Sequence, residues 1–214
     1  MNAPAQSLQA GAAVLLIAIV LAGCSTGMGK DECLVADWRT IGYEDGLHGY
    51  TADRIGAHCV ACAKHQVAPN LALYTEGRER GLREYCQPKT GFRVGLHGAG
   101  YANVCSGAIE FTFVNAYQWG RQIHDARADL RSTQSRLRSA REGIVHTDSA
   151  MASVTTELVL PRVPTERRAF LAQELVRLTQ DRIDLVGRID QLTVRAQQLA
   201  VNVQDLERQS PYPL

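Results

Sequence analysis

Leu171–Leu206 reads LAQELVRLTQDRIDLVGRIDQLTVRAQQLAVNVQDL, and its spacing decides the fold class. Leu171, Leu178, Leu185, Leu192, Leu199 and Leu206 recur every seventh residue. Four residues after each of the first five stand Leu175, Arg182, Ile189, Ala196 and Val203, and only Arg182 among them is polar. A 3-4 apolar spacing held this long is the pattern of a coiled-coil helix, because it keeps one stripe on one face. Residues 165–208 also carry seven arginines and seven acidic residues, which suit the solvent face. Upstream, Ile123, Leu130, Leu137 and Ile144 keep the same step, with Ala126, Thr133 and Ala140 between them. Ile109, Phe113, Ala116 and Gly120 carry that stripe further back, and Ser106 is a suitable N-cap. The expectation is an all-α chain ending in an antiparallel helical hairpin over 107–210. Its first arm ends near 145 and its loop spans about 147–164, closed by Pro161 and Pro164. Pairing of two copies through a leftover face is compatible with the same pattern.

The part before residue 107 differs in composition. It holds all six cysteines, whereas only Gly120, Gly143 and Gly187 represent glycine after it. Helices are expected near 36–48, 52–65 and 71–86, with 91–100 as loop or irregular helix. One theme returns: an aromatic ahead of glycines spaced by four, at Trp38–Gly42–Gly46 and Tyr74–Gly77–Gly81, and more loosely at Phe92–Gly95–Gly98 and Tyr117–Gly120. Helical glycines four apart share a face. They lower helix propensity by about 1 kcal/mol each, so close approach of another backbone is expected to offset them.

Gly11–Ala22 is uncharged and apolar for twelve residues, too short for the roughly 20 that a spanning helix needs. It has the length of a secretory apolar region. Leu21-Ala22-Gly23-Cys24 resembles the lipobox of bacterial lipoproteins. The resemblance implies a signal peptide over 1–23, lipid on the Cys24 thiol, and an address on the periplasmic face of the outer membrane, with Ser25 following the cysteine. The amino-terminal stretch lacks the Lys or Arg usual ahead of such a region. Two or more acyl chains anchor stably where one does not. No other cofactor is expected.

Cys33, Ala36-Asp-Trp38, Ile41-Gly-Tyr-Glu-Asp-Gly46, His58, Ala61-Cys62, Tyr74-x-x-Gly77, Gly81-Leu-x-x-Tyr-Cys86, Gly91-Phe-x-x-Gly95 and Tyr101-x-x-Val-Cys105 together resemble a family of proteobacterial lipoproteins known as a domain of unknown function. The likeness covers about 24–125. It implies a Cys/Gly-rich head over 24–106 and supplies no reaction. Cys33, Cys62, Cys86 and Cys105 fall in its motifs and are the disulfide candidates. Cys59 is then the unpaired thiol, expected to be buried. Four cysteines allow three pairings, all open at this level. Disulfides are the default in an oxidising compartment.

Residue types also suggest sharper chemistry. Cys59, Cys62 and His65, with His58 or Cys86, have donors for zinc, the Cys59-x-x-Cys62 pair could instead serve redox chemistry, and Glu44 and His48, four apart, could hold a metal on one helical face. Glu44 or Asp45 could act as a general acid or base in an envelope enzyme. Haem attachment requires histidine directly after the second cysteine, and Ala63 stands there. The expected function is a structural or protein-interaction lipoprotein with an envelope-protein or cell-wall partner. A formal net charge of +1, with only three lysines beside many arginines, gives no bulk attraction to nucleic acid. Residues 211–214 are a short tail.

Overall fold

The structure, a computed structural model, describes residues 28–214. Cys24 and the segment ahead of it lie outside the described residues. The described chain is helical throughout, without strands: α1 (Lys30–Leu34), α2 (Trp38–Leu47), α3 (Arg54–Ala63), α4 (Leu71–Tyr85), α5 (Pro88–Leu96), α6 (Ala108–Leu158) and α7 (Thr165–Gln209). Three packings organise it: α2 on α4, α5 on α6, and α6 on α7.

Local signals set the helix starts. Asp37 caps α2 through its side chain, accepting from the Arg39 and Thr40 amides. Asn70 caps α4 by accepting from Leu73. Pro88 opens α5, where its missing N–H removes no bond. Segment 91–100 is therefore mostly regular helix, ending at Leu96 rather than running as loop. At α6 the cap is Gly107, with φ 69°, and the expected Ser106 cap is not made.

The first two packings are the same unit built twice. A methyl on Gly42 would overlap the Tyr74 carbonyl oxygen, and one on Gly91 would press on that of Phe113. Gly46 and Gly95 meet the carbonyls of Arg78 and Tyr117 in the same way. From the opposite helix, Gly81 meets Tyr43 O and Gly120 meets Phe92 O. The matches continue off the glycine face. His48 and His97 each direct Nδ1 to a carbonyl four residues back, at 2.7 Å. Arg78 donates to the Tyr50 carbonyl, and Tyr117 Oη donates to that of Ala99. Gly49 and Gly98 follow with φ of 68° and 73°, the left-handed conformation that ends a helix cheaply only at glycine. The four loose sequence copies are thus two copies of a helix pair. The glycine rows bring backbones into contact, which offsets their poor propensity.

Each copy has its own disulfide. Cys33–Cys62 ties the segment before α2 to the end of α3, ahead of α4. Cys86–Cys105 ties the segment before α5 to the one before α6. The sequence separations are 29 and 19 residues, and the first loop is longer because it contains α3. Tyr85, Cys86, Cys105 and Phe113 form the buried cluster that joins the copies.

The long helices bury the expected stripes. Ile123, Ala126, Thr133 and Ala140 of α6 are buried, as are Leu171, Leu178, Leu192, Leu199 and Val203 of α7. Arg127 pairs with Glu207, Arg182 with Asp148, and Arg167 with Glu157, so α7 is met at ever lower numbers as α6 advances. The first arm does not end near 145. It runs to Leu158, leaving only 159–164 as the turn in place of the expected 147–164. Ile144, Thr147, Met151, Val154 and Leu158 are half-buried and keep the 3-4 step, which carries the helix through the polar stretch. The head boundary also shifts. Residues 108–123 are the second helix of the repeated unit, so α6 belongs to both head and arm.

Candidate functional site

The first copy contains a buried polar cluster that the second lacks. Asp45 lies on α2 beside Gly46 and is 7% exposed. Its Oδ2 accepts from Tyr74 Oη at 2.8 Å and stands 2.9 Å from His58 Nε2. Arg54 Nε is 3.9 Å from Oδ1 and has no hydrogen-bond partner of its own. The Arg54 guanidinium lies 4.9 Å over the Tyr50 ring. Trp38 and Tyr74 meet the His58 ring edge-on, at 6.4 and 6.1 Å between centroids. Trp38 and Tyr74 belong to one buried cluster with the Cys33–Cys62 disulfide.

Three elements position these groups. The Asp37 cap and the glycine face fix the rotation of α2. The Asn70 cap fixes the first turn of α4, from which Tyr74 projects. α3, which carries Arg54 and His58, has no extended packing on any helix. It is held by its disulfide, by a few apolar contacts such as Ile55, and by Asp45. An ionised carboxylate only accepts, so His58 Nε2 carries the proton that faces it. The Tyr74 phenol is held well above the usual range, first by burial and then by its hydrogen bond to Asp45. It therefore stays a donor. The arrangement can clamp α3 to α2 and α4.

The second copy shows what the cluster is not needed for. Val94 stands at the place of Asp45 and Phe113 at that of Tyr74, and no helix corresponds to α3. The glycine frame forms there all the same, so the polar cluster is an addition to the frame.

The sequence-level candidates fall differently. Glu44 is exposed, and His48 contacts the Glu44 carbonyl rather than its carboxylate. Cys62 is taken by its disulfide, which removes it as a thiolate ligand beside Cys59 and His65. Among the described residues no three His, Cys, Asp or Glu side chains converge on one point. Among the described residues Cys59 is the free cysteine, but it is exposed, because α3 presents only one side to the head. A groove of about 840 Å³ lies at the α4–α5 junction, bordered by Arg83, Tyr85, Lys89, Arg93 and Tyr212, and not at Asp45. His58 and Tyr74 were missed as partners of Asp45. The family-like motifs contained both, without a sign that they meet.

Residues 37–122 match a domain family described as a protein of unknown function (DUF2799). That span runs from the cap of α2 to the head portion of α6, and so covers both copies of the helix pair. No curated protein matches the chain, and no solved structure does.

Proposed function

We propose that the chain is a lipid-anchored protein of the bacterial envelope that acts as a structural or protein-interaction module. In this reading Cys24 carries the lipid, and the disulfide-braced head stands close behind it. α6 and α7 serve as an antiparallel coiled-coil hairpin that extends the molecule from the outer membrane into the periplasm. The observation that carries the reading is the arm. At 1.5 Å per residue, the 51 residues of α6 extend about 75 Å. Most of that length lies beyond the matched domain and is built to hold a distance. Two disulfides in a small glycine-rich head agree with an oxidising compartment. Among the described residues no helix is long and apolar enough to cross a membrane, so attachment in this reading rests on Cys24.

The test has two parts. C24A should move the protein from the membrane fraction to the soluble periplasmic fraction. Removing three matched heptads from the arms, 131–151 with 179–199, keeps both head units and the turn. The shortened chain should stay on the membrane and lose its crosslinks to envelope partners. Retention of every crosslink, or membrane attachment that survives C24A, would overturn the proposal.

A further inference from the structure

α7 carries a second seam on the side opposite its leucines. Val176, Ile183, Val194 and Val201 are 71%, 58%, 54% and 56% exposed, although each is as apolar as the residues buried against α6. Gln180, Gly187, Asp190 and Gln197 fill the gaps, so the steps alternate four and three over the whole stretch. The spacing is that of a coiled-coil seam, with four of its eight positions apolar and exposed. Gly187 sharpens the point. A methyl there would meet nothing, whereas Gly143 in the facing arm is packed by Leu185. Nothing within one chain offsets the helix propensity that Gly187 forfeits.

We infer that this face pairs with the same face of a second copy, in antiparallel register. About the peptide joining Arg188 and Ile189 the seam reads alike in both directions at its three outer pairs, and the pair at the axis is Gly187 with Asp190. Turning a second α7 end for end places Val176 against Val201, Gln180 against Gln197, Ile183 against Val194 and Gly187 against Asp190. Seam residues of complementary position meet in this way in an antiparallel coiled coil, and a two-fold axis makes both halves equivalent. A foreign partner would not require a palindrome. The layer at the axis selects the direction: a parallel pair stacks Asp190 on Asp190, while the antiparallel pair sets each carboxylate in the space left by glycine. The flanks agree. One edge of the seam, Ala172, Thr179, Val186, Thr193 and Ala200, is uncharged, so its self-apposition opposes no charges. The other edge brings Arg177 near Asp205 of the second copy.

The contact runs about 39 Å along a helix some 10 Å wide, which buries about 800 Å² in total and falls below a standard stable interface. The pair is therefore reversible and depends on local concentration. It sets the two heads at opposite ends of a four-helix ribbon, so a pair with both heads lipid-anchored lies along the membrane, and the arm that reaches into the periplasm is the unpaired form. The inference uses only the α7 surface and does not depend on the lipid anchor.

The test uses the full chain with Cys59 replaced (C59S), carrying V176C on one tagged copy and V201C on another. The two are expressed together and mildly oxidised in intact cells. The mixed V176C–V201C crosslink should exceed the V176C–V176C crosslink at least tenfold. Adding I183E should reduce it at least tenfold with helicity unchanged, and D190N should raise it severalfold. A yield no higher than C59S alone overturns the inference, as does a dominant V176C–V176C product or capture of other proteins only. Should I183E misfold, D190N decides: a yield that does not rise overturns the register.

Discussion

Asp45 and Tyr74 show how one oxygen atom can organise a site. Oδ2 of Asp45 takes both the Tyr74 hydroxyl and His58, from residues 29 and 13 positions away in sequence. No local spacing encodes such a meeting, so the sequence placed Asp45 beside Glu44 and His48 and left its true partners among unrelated motifs. Tyr74→Phe copies what the second unit already has at Phe113. It should cost about 1–3 kcal/mol in chemical denaturation, because a buried carboxylate loses a donor. Its pH signature is separate. The folded phenol titrates above its unfolded value of about 10, so its stabilisation is complete below that pH and is lost as pH rises further. Between pH 8 and pH 11 the wild type should lose more stability than Tyr74→Phe. Equal losses would mean that Tyr74 does not govern the alkaline limb. Two glycines make a sharper pair. Gly77→Ala drives a methyl into the Arg39 carbonyl and should cost at least about 2 kcal/mol. Gly187→Ala meets open space and should stabilise the unpaired chain by about 1 kcal/mol. Both are read from denaturation midpoints. The glycine spacing was legible as close backbone approach, but only the fold separates a packed glycine from an open one.

Helix α3 is the element whose attachment is narrowest. It shares no long face with a neighbour, and its fastening is the Cys33–Cys62 bond together with the Asp45 contacts. Replacing both cysteines by serine should destabilise the chain by roughly 3–4 kcal/mol, the range for a loop of this size. Amide exchange should lose protection in α3 first, while α2 and α4 stay protected by their glycine contact. If α2 and α4 exchange as fast as α3, the disulfide supports the whole unit and α3 is no separate clip. Helix α6 teaches the opposite lesson. Its head portion and its middle were legible from the 3-4 stripe. Its last turns were not, because Thr147 and Ser149 interrupt the apolar run and the prolines further on suggested an early stop. Met151, Val154 and Leu158 carry the stripe across that polar stretch. Packing on α7 then supplies what local propensity withholds.

At the scale of the whole molecule, α6 is shared between two bodies. Its first turns complete the second glycine unit, and the rest forms the arm. Near the junction the chain closes on itself: Phe92, Ala116 and Ile123 are buried, Leu206 and Tyr212 pack against them, and Tyr212 stacks on Phe92 at 5.1 Å between centroids. The first unit meets the second at the Tyr85–Phe113 cluster. The division into head and tail was visible in composition, but this overlap was not, since a heptad stripe does not say which partner a given turn faces. The overlap predicts unequal propagation of damage. Gly77→Ala should speed amide exchange in α2 and α4 and leave α6 and α7 as they were. Gly120→Ala, which presses on the Phe92 carbonyl, should loosen α5, the head half of α6 and the last turns of α7, because these share one apolar cluster. The distal arm keeps its own leucine seam and should remain protected in both variants. Hydrogen exchange followed by mass spectrometry reads all of these segments in one experiment. If Gly120→Ala stays confined to α5, the arm and the second unit are mechanically separate. Exchange that spreads along the entire arm would instead make α6 a single cooperative rod, with the head–arm distance set by one folding event.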